Sequence, residues 1–233
     1  APRTISIGAR VGYDDAGNTP NTQIVYHDYE RAPLVFETRG LPRSKAGQKN
    51  WGDSMDRFRG SGVGVIIQCD QGHVLVPSYR EAIAYDQSGE QVNHWKGDTP
   101  HHANWLAAIA AGDAGQLNAE IREGHVSSSL CHAGGISHQV GELATAGAIA
   151  EQIAANELLS NSFARMAGHL RANRVDIDSD PGALTLGPWL DVDPESEQFV
   201  GNDDAAEYFS RDYREPFTVA NVERELTTAS AAG

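Results

Sequence analysis

The sequence predicts an α+β fold, with a large, open, mainly antiparallel sheet and helices packed on one face of that sheet. Two observations lead to this prediction. Short runs rich in β-branched and aromatic residues fill residues 3–95, and helical periodicity begins only near residue 99. Turn residues rather than helices separate the runs, so neighbouring strands are expected to pair antiparallel.

Six segments have the composition of β-strands. They are TISIGARVGY (4–13), TQIVYHDYE (22–30), APLVFETRG (32–40), GVGVIIQCD (62–70), HVLVPSY (73–79) and EAIAYD (81–86). Residues 41–60 interrupt them as a polar loop that carries five of the 18 basic residues. Loops of this length are often functional or mobile.

The helical part begins at Thr99 as a cap and Pro100 in the first turn, and this first helix is expected to end at Gly112. Residues 145–173 predict a pair of helices with a break near residues 159–161. LTLGPWLDV (184–192) is expected to form a last strand. Residues 1–220 are therefore predicted to form one domain, and residues 221–233 are expected to be a disordered tail.

The segment from Leu117 to Gly141 is unusual because polar and small residues occupy helical spacing where aliphatic residues are common. If it is helical, one narrow stripe contains Leu117, Ile121, His125, Ser128, His132, Gly135 and Gln139. The helix is expected to start near His125. We expect its polar side chains to tie the helix to the sheet and to a domain junction, since buried polar groups need partners.

Composition excludes several classes of partner. The net charge of −14, from 32 acidic and 18 basic residues, argues against nucleic acid and against an anionic membrane surface. No apolar run is long enough to span a bilayer, and the first residues lack the apolar core of a signal peptide. Cys69 and Cys131 form no CxxC motif, so cytoplasmic and exported locations both stay open for this soluble chain. Because the first residues already have the pattern of a strand, we expect a processed protein or an excised domain.

Five motifs suggest chemistry but lack a required element. GSGVGVI (60–66) has no third glycine at 65 and precedes a strand, and DIDSDPG (176–182) lacks the glycine and glutamate of a calcium loop. Asp98 and His102 have the spacing of an acid/base pair, but Thr99 and Pro100 between them favour a helix start. His125 and His132 would lie about 10.5 Å apart along a helix, which is too far for a chelating pair. Cys131 and its neighbour His132 would diverge on a helix, which disfavours a catalytic thiol.

Five segments together resemble the C-terminal domain of the glucose-fructose oxidoreductase / inositol dehydrogenase / MocA family, and more narrowly its predicted dehydrogenases from planctomycete-like bacteria. They are GYDDAGNTPNTQ, FETRGLP, GDTPHHANWLAAI, LNAEIREGHVSSSLCHAGGISHQVG and SFARMAGHLRANRVD. The resemblance implies a parent oxidoreductase whose N-terminal Rossmann domain, absent from this chain, binds NAD or NADP. It also implies that the open sheet face mediates homo-oligomerisation and that one end of the domain closes over a sugar or polyol. The family's CHLGNI is CHAGGI here, with Gly135 in place of Asn.

The resemblance places the family's catalytic lysine in the missing domain and its DxGxH motif before Ala1. No catalytic, cofactor-binding or metal-binding residue is therefore expected in this chain, which alone should be inactive. The positions that match the family on the substrate side are Asn21, Thr22, Gln23, His101, His102, His125 and His132. The alternative hypothesis is a non-catalytic homolog that acts as a binding or dimerisation module. An independent carbohydrate-binding β-module is disfavoured, because only 7% of residues are aromatic.

Overall fold

The computed structural model describes residues 3–98 and 100–220, and over these residues it confirms the α+β class. The described strands are β1 Arg3–Ala9, β2 Thr22–His27, β3 Leu34–Arg39, β4 Val65–Cys69, β5 Gly72–Ser78, β6 Glu81–Asp86, β7 Gln91–Lys96, β8 Glu142–Ala144, β9 Leu184–Leu186, β10 Leu190–Val192 and β11 Phe199–Val200. The described α-helices are α1 Trp51–Ser54, α2 His101–Ala111, α3 Ile121–Gln139, α4 Ala146–Ile153, α5 Glu157–Ala172 and α6 Asp203–Ala206. Short 3-10 helices span Lys45–Lys49, Ala114–Gln116 and Glu207–Phe209.

All strand pairs are antiparallel, as predicted, but the strands divide between two sheets. The larger sheet has the order β11-β10-β1-β2-β3, and β9 also pairs with β1 and carries β8 at its outer edge. The smaller sheet is the meander β4-β5-β6-β7. The segment between β3 and β4, predicted as a loop, contains a 3-10 helix and α1.

The main core lies between the larger sheet and the helices α4 and α5. Side chains that alternate along β1 and β2, such as Ile7 and Ile24, pack there at 0% exposure against Leu159 and Met166 of α5. The break between α4 and α5 falls at residues 154–156, slightly before the predicted position, and Asn156 caps α5 by accepting from Leu159 N–H at 3.0 Å.

The third long helix, α3, lies on the opposite face of the larger sheet. Val25 points away from the main core because it alternates with Ile24 and Tyr26, and a Cβ on Gly134 would lie 2.6 Å from Val25 Cγ1 and Cγ2. The absence of a side chain at Gly134 therefore permits this close approach of helix and strand. The helices were expected on one face only. They cover both faces of the central strands, so Thr4–Ala9 are buried throughout.

A serine joins α3 to the backbone of β1. Strands β10 and β9 pair with the two ends of β1, at Thr4 and at Ile7, and leave Ser6 between them. Ser6 N–H donates to Ser137 Oγ at 3.0 Å, and Ser137 Oγ donates to Pro188 O at 2.9 Å. Since Ser137 is 0% exposed, its hydroxyl satisfies backbone groups that would otherwise be buried without a partner.

Two further boundaries differ from the prediction. Helix α3 begins at Ile121 rather than near His125. The side chain of Glu120 caps this start by accepting from Arg122 N–H at 3.0 Å. The predicted last strand, 184–192, divides into β9 and β10, and between them Gly187 N–H donates to Ser6 O at 2.8 Å. Helix α2 ends as predicted, with Gly112 in the left-handed conformation.

Thr99 and the predicted tail, 221–233, lie outside the described residues. None of the helices within the described ranges is long and apolar enough to cross a membrane.

We expect the adjacent glycines of α3 to respond in opposite ways to alanine. Gly134→Ala should lower the free energy of unfolding by roughly 1–3 kcal/mol, since the new methyl group overlaps Val25. Gly135→Ala should raise it by up to about 1 kcal/mol, because a Cβ there meets open space and alanine favours helix. Urea denaturation of the two variants measures both effects. Equal effects of the two substitutions would contradict the close packing of α3 on β2.

Candidate functional site

A polar cleft of about 530 Å³ lies where β1 ends, and it is the candidate functional site. Its walls come from the loop after β1, the 3-10 helix Lys45–Lys49, the last turn of α3 and the segment that follows α5. The side chains that determine its chemistry are Arg10, Lys45, His138, Arg174, Asp176 and Asp180. A volume of this size is typical of sites for small molecules.

Asn173 holds two walls of the cleft together. It ends α5 and is 2% exposed, and its Nδ2 donates to Pro42 O at 2.7 Å and to His169 O at 3.0 Å. Its Oδ1 accepts from Gln48 Nε2 at 3.2 Å. Because Lys45 lies between Pro42 and Gln48, these bonds fix the 3-10 helix against the segment that begins with Arg174.

Arg10 is fully engaged by the loop between β1 and β2. Its Nε donates to Asp15 Oδ1 at 2.6 Å, its Nη2 pairs with the other carboxylate oxygen, and its Nη1 donates to Thr19 O at 2.9 Å. The hydrogen bond from this guanidinium lowers the pKa of Asp15. Arg10 therefore shapes the cleft, and its positive charge is neutralised within its own loop.

The carboxylates in the cleft are also engaged, by the turn that carries them. Asp176 accepts hydrogen bonds from Ser179 Oγ at 2.5 Å and from Ser179 N–H at 3.0 Å, and the first of these bonds is the main reason that the pKa of Asp176 is lowered. Asp180 Oδ1 accepts from Gly182 N–H at 2.8 Å. The turn predicted for residues 176–182 is thus held by its own aspartates.

Three hydrogen-bonding groups of the cleft have little or no partner within the described residues. Lys45 Nζ lies 3.4 Å from Gly12 O and pairs with no carboxylate there, and the Arg174 guanidinium forms no hydrogen bond or ion pair. His138 Nδ1 is buried without a partner. Burial lowers the pKa of His138, so the imidazole is neutral near pH 7. A neutral imidazole can hydrogen-bond a ligand hydroxyl through a ring nitrogen that is open to the cleft, which the buried Nδ1 is not.

Of the predicted site residues, Asn21, Thr22 and Gln23 have structural roles beside the cleft. Asn21 is 7% exposed, donates to Val11 O at 2.9 Å and accepts from Val11 N–H at 3.3 Å, which fixes one wall. Thr22 Oγ1 donates to Asn21 Oδ1, and Gln23 Nε2 donates to Ser6 Oγ at 2.8 Å. These polar atoms are engaged within the fold and do not face the cleft.

The four predicted histidines lie on the protein surface, apart from the cleft. His101 and His102 open α2 with their rings 4.6 Å apart, and His125 Nε2 lies 2.6 Å from Glu197 Oε2. His132 is exposed and bonds to no other described residue. The structure therefore does not gather these residues into one site.

The expectation that His125, Ser128 and His132 tie α3 to the sheet is wrong. Ser128 Oγ bonds to Gly124 O within the helix itself, and the polar stripe faces solvent. The groups that contact the sheet are Gly134 and Ser137. A substitution of His132 by leucine should therefore leave folding largely unchanged.

The sequence reasoning missed His138, Lys45 and Arg174. One signal could have found His138: it lies four residues after Gly134, on the side of α3 where small residues mark contact with the sheet. Lys45 and Arg174 carry no local signal, because each reaches the cleft through the long-range bonds of Asn173.

The other motifs have structural roles. The glycines of 60–64 precede β4 of an antiparallel meander, which differs from the strand and helix of a dinucleotide-binding unit. Asp98 pairs with Arg80 at 3.5 Å. Within the described ranges, no group of three or more His, Cys, Asp or Glu side chains is arranged to hold a metal ion.

Comparison with known proteins identifies no relative. The chain matches no protein-family model, no curated protein and no solved structure. Its function is therefore inferred from its motifs and from the geometry of the cleft.

We expect Asn173→Ala to loosen the wall that carries Lys45. Loss of the bonds to Pro42 and Gln48 should lower the local free energy of opening for residues 43–50 by roughly 1–3 kcal/mol, since Pro42 O would lose a buried donor. Hydrogen exchange of the amides in this segment measures the effect. The matched control is Arg174→Asn, which changes the next residue but leaves these bonds in place. Unchanged exchange in Asn173→Ala would contradict the role of Asn173.

Proposed function

We propose that this chain is the C-terminal substrate-binding and assembly domain of an NAD(P)-dependent oxidoreductase that acts on a sugar or polyol. The observation that carries the proposal is the cleft beside β1, where donors and acceptors from four segments surround a volume suited to one small molecule. Ligands with many hydroxyl groups need such convergent hydrogen-bonding groups. The five motifs that resemble the glucose-fructose oxidoreductase / inositol dehydrogenase / MocA family support the same assignment.

In this proposal the chain binds and orients the substrate. The nicotinamide of NAD or NADP, held by a separate Rossmann domain, would exchange the hydride with a hydroxyl-bearing carbon. Lys45 and Arg174 would donate hydrogen bonds to the substrate, and the neutral His138 would bond to one of its hydroxyls. The described residues contain no dinucleotide-binding unit, so no step of the cofactor chemistry is assigned to them.

The assembly role rests on one face of the smaller sheet. Strand register places seven apolar residues there, namely Val65, Ile67, Val74, Val76, Ala82, Ala84 and Trp95. Val65, Ile67 and Trp95 are about half exposed, at 52%, 51% and 49%. Within residues 65–96, all of which are described, Leu75 is the one buried hydrophobic residue. We propose that a second copy of the chain covers this face, since large exposed apolar patches mark interaction sites.

The same apolar face favours the second candidate function, a non-catalytic homolog that serves as a binding or dimerisation module. Such a protein would need the smaller sheet but not the free donors of the cleft. Ligand binding in the cleft therefore separates the two candidates.

The ligand test is a titration of the 233-residue chain with myo-inositol and with D-glucose, followed by NMR. We expect saturable shifts of amides around the cleft, with His138→Ala weakening binding about tenfold through loss of a hydrogen bond in a partly buried site. His132→Ala, on the exposed side of the same helix, is the control and should change nothing. Absence of binding would favour the non-catalytic module, and micromolar affinity for NADH would contradict the assignment of the cofactor to another domain.

The assembly test is light scattering of the chain with a charge on the apolar face. Ile67→Lys should shift an oligomer to monomers at micromolar concentration, because it places a charge among the exposed apolar residues of the covered face. Gln91→Lys, on the other face of the same sheet, should leave the oligomer intact. A monomeric unmodified chain at high micromolar concentration would contradict the assembly role.

A further inference from the structure

We propose that the ligand of the cleft carries an anionic group, a carboxylate or a phosphate, which pairs with Lys45 and Arg174. This inference rests on the proposed function, since it defines the class of hydroxylated substrate that the cleft would accept. It depends on which charged groups in the cleft are already engaged within the protein and which are free.

Two cations of the cleft, Lys45 and Arg174, have no ion-pair partner within the described residues. Lys45 Nζ has one long contact, 3.4 Å from Gly12 O, and so retains donors for a ligand. The Arg174 guanidinium has no hydrogen bond or ion pair within the described residues, and both side chains line the cleft. The bonds of Asn173 to Pro42 and Gln48 hold the segments that carry these two cations next to each other.

The nearby carboxylates keep their negative charge, but within the described residues none of them forms an ion pair with Lys45 or Arg174. Asp176 accepts from Ser179 and from backbone amides of its own turn, and one oxygen of Asp180 accepts from Gly182 N–H. Asp178, between them, pairs with Arg171 at 2.7 Å. Asp15, on the opposite wall, pairs with Arg10. An anionic ligand would supply the ion-pair partner that Lys45 and Arg174 lack within the described residues.

The remaining polar groups suit the rest of such a ligand. The second oxygen of Asp180 can accept a hydrogen bond from a ligand hydroxyl, and the ring of His138 lines the same cleft. A hydroxylated ring with one anionic substituent therefore uses both sets of groups. A neutral sugar would leave the two cations without a charged partner.

The backbone at Arg174 has a conformation that is uncommon for arginine. Its φ is 62°, in the left-handed region that glycine and asparagine adopt more easily than arginine. The position follows directly after the end of α5, where glycine is the common residue. The left-handed backbone at this position does not itself require an arginine, so the guanidinium is open to a role in the cleft.

Calorimetric titration of the 233-residue chain with three matched ligands tests the inference. The three ligands differ at carbon 6 of the sugar. D-glucuronate has a carboxylate there, D-glucose has a hydroxymethyl group, and D-glucose 6-phosphate has a phosphorylated hydroxymethyl group. At low ionic strength we expect the better anionic sugar to bind about tenfold more tightly than D-glucose, and added salt should reduce that difference. The comparison between the two anionic sugars shows which head group the cleft prefers.

Two variants assign the effect to the proposed residues. Lys45→Gln and Arg174→Asn should each weaken binding of the anionic sugar roughly fivefold and weaken binding of D-glucose less, since the amide side chains can still donate a hydrogen bond but no longer carry a charge. Asparagine is chosen at 174 because it tolerates the left-handed backbone. The control is Lys49→Gln, which removes a cation at the other end of the same 3-10 helix, outside the cleft lining.

The outcomes separate this inference from the proposed function. Equal affinity for D-glucose and both anionic sugars would overturn the anionic group and leave a cleft for neutral sugars. Binding of an anionic sugar that Lys45→Gln and Arg174→Asn do not weaken would also overturn it. Failure of all three ligands to bind would overturn both the anionic group and the substrate-binding role.

Discussion

The fold depends on the burial of β1 on both of its faces. One set of its side chains packs against α4 and α5, and the other set faces α3, while its edge is shared by β9 and β10. Such a strand needs a close helix and a partner for the backbone at Ser6. Gly134 meets the first requirement by leaving room for Val25, and Ser137 meets the second with its hydroxyl.

This arrangement also positions the cleft. Because Ser137 is bonded to β1, the last turn of α3 is fixed and the following residue, His138, is held at the cleft beside the end of that strand. Asn173 performs the corresponding task on the other wall, where it joins α5 to the segment of Lys45. The cleft is thus a consequence of two buried polar contacts between segments that are far apart in sequence.

The elements predicted best are those with strong local patterns. Strands β1 to β6 have apolar and β-branched runs between turn residues, and α2 ends at a glycine with a positive φ. The division into two sheets could not be predicted, because it depends on which strands pair across the long segment 41–64. The seventh strand, Gln91–Lys96, is exposed on both faces and lacks a clear apolar pattern.

The error on α3 has a specific physical cause. A helix that contacts a sheet through Gly134 and Ser137 has no apolar stripe that would mark its buried side. The stripe of histidines was therefore interpreted as the buried side, although its residues are exposed to solvent. Small residues mark the buried side wherever two backbones approach closely. With that criterion the same sequence would have directed attention to His138 in place of His125 and His132. The long-range placement of Lys45 and Arg174 would still have required the structure.

The two proposed roles are carried by different parts of the chain, which bears on the choice between them. The apolar face belongs to the meander of β4 to β7, whose strands pack mainly on one another, whereas the cleft is built on β1 and the helices of the larger sheet. Dimerisation through the smaller sheet has no use for the polar side chains that converge on the cleft. Among them, Lys45 and Arg174 are exposed and form no ion pair within the described residues, so both are open to a ligand. For that reason the cleft supports the substrate-binding role independently of whatever covers the smaller sheet.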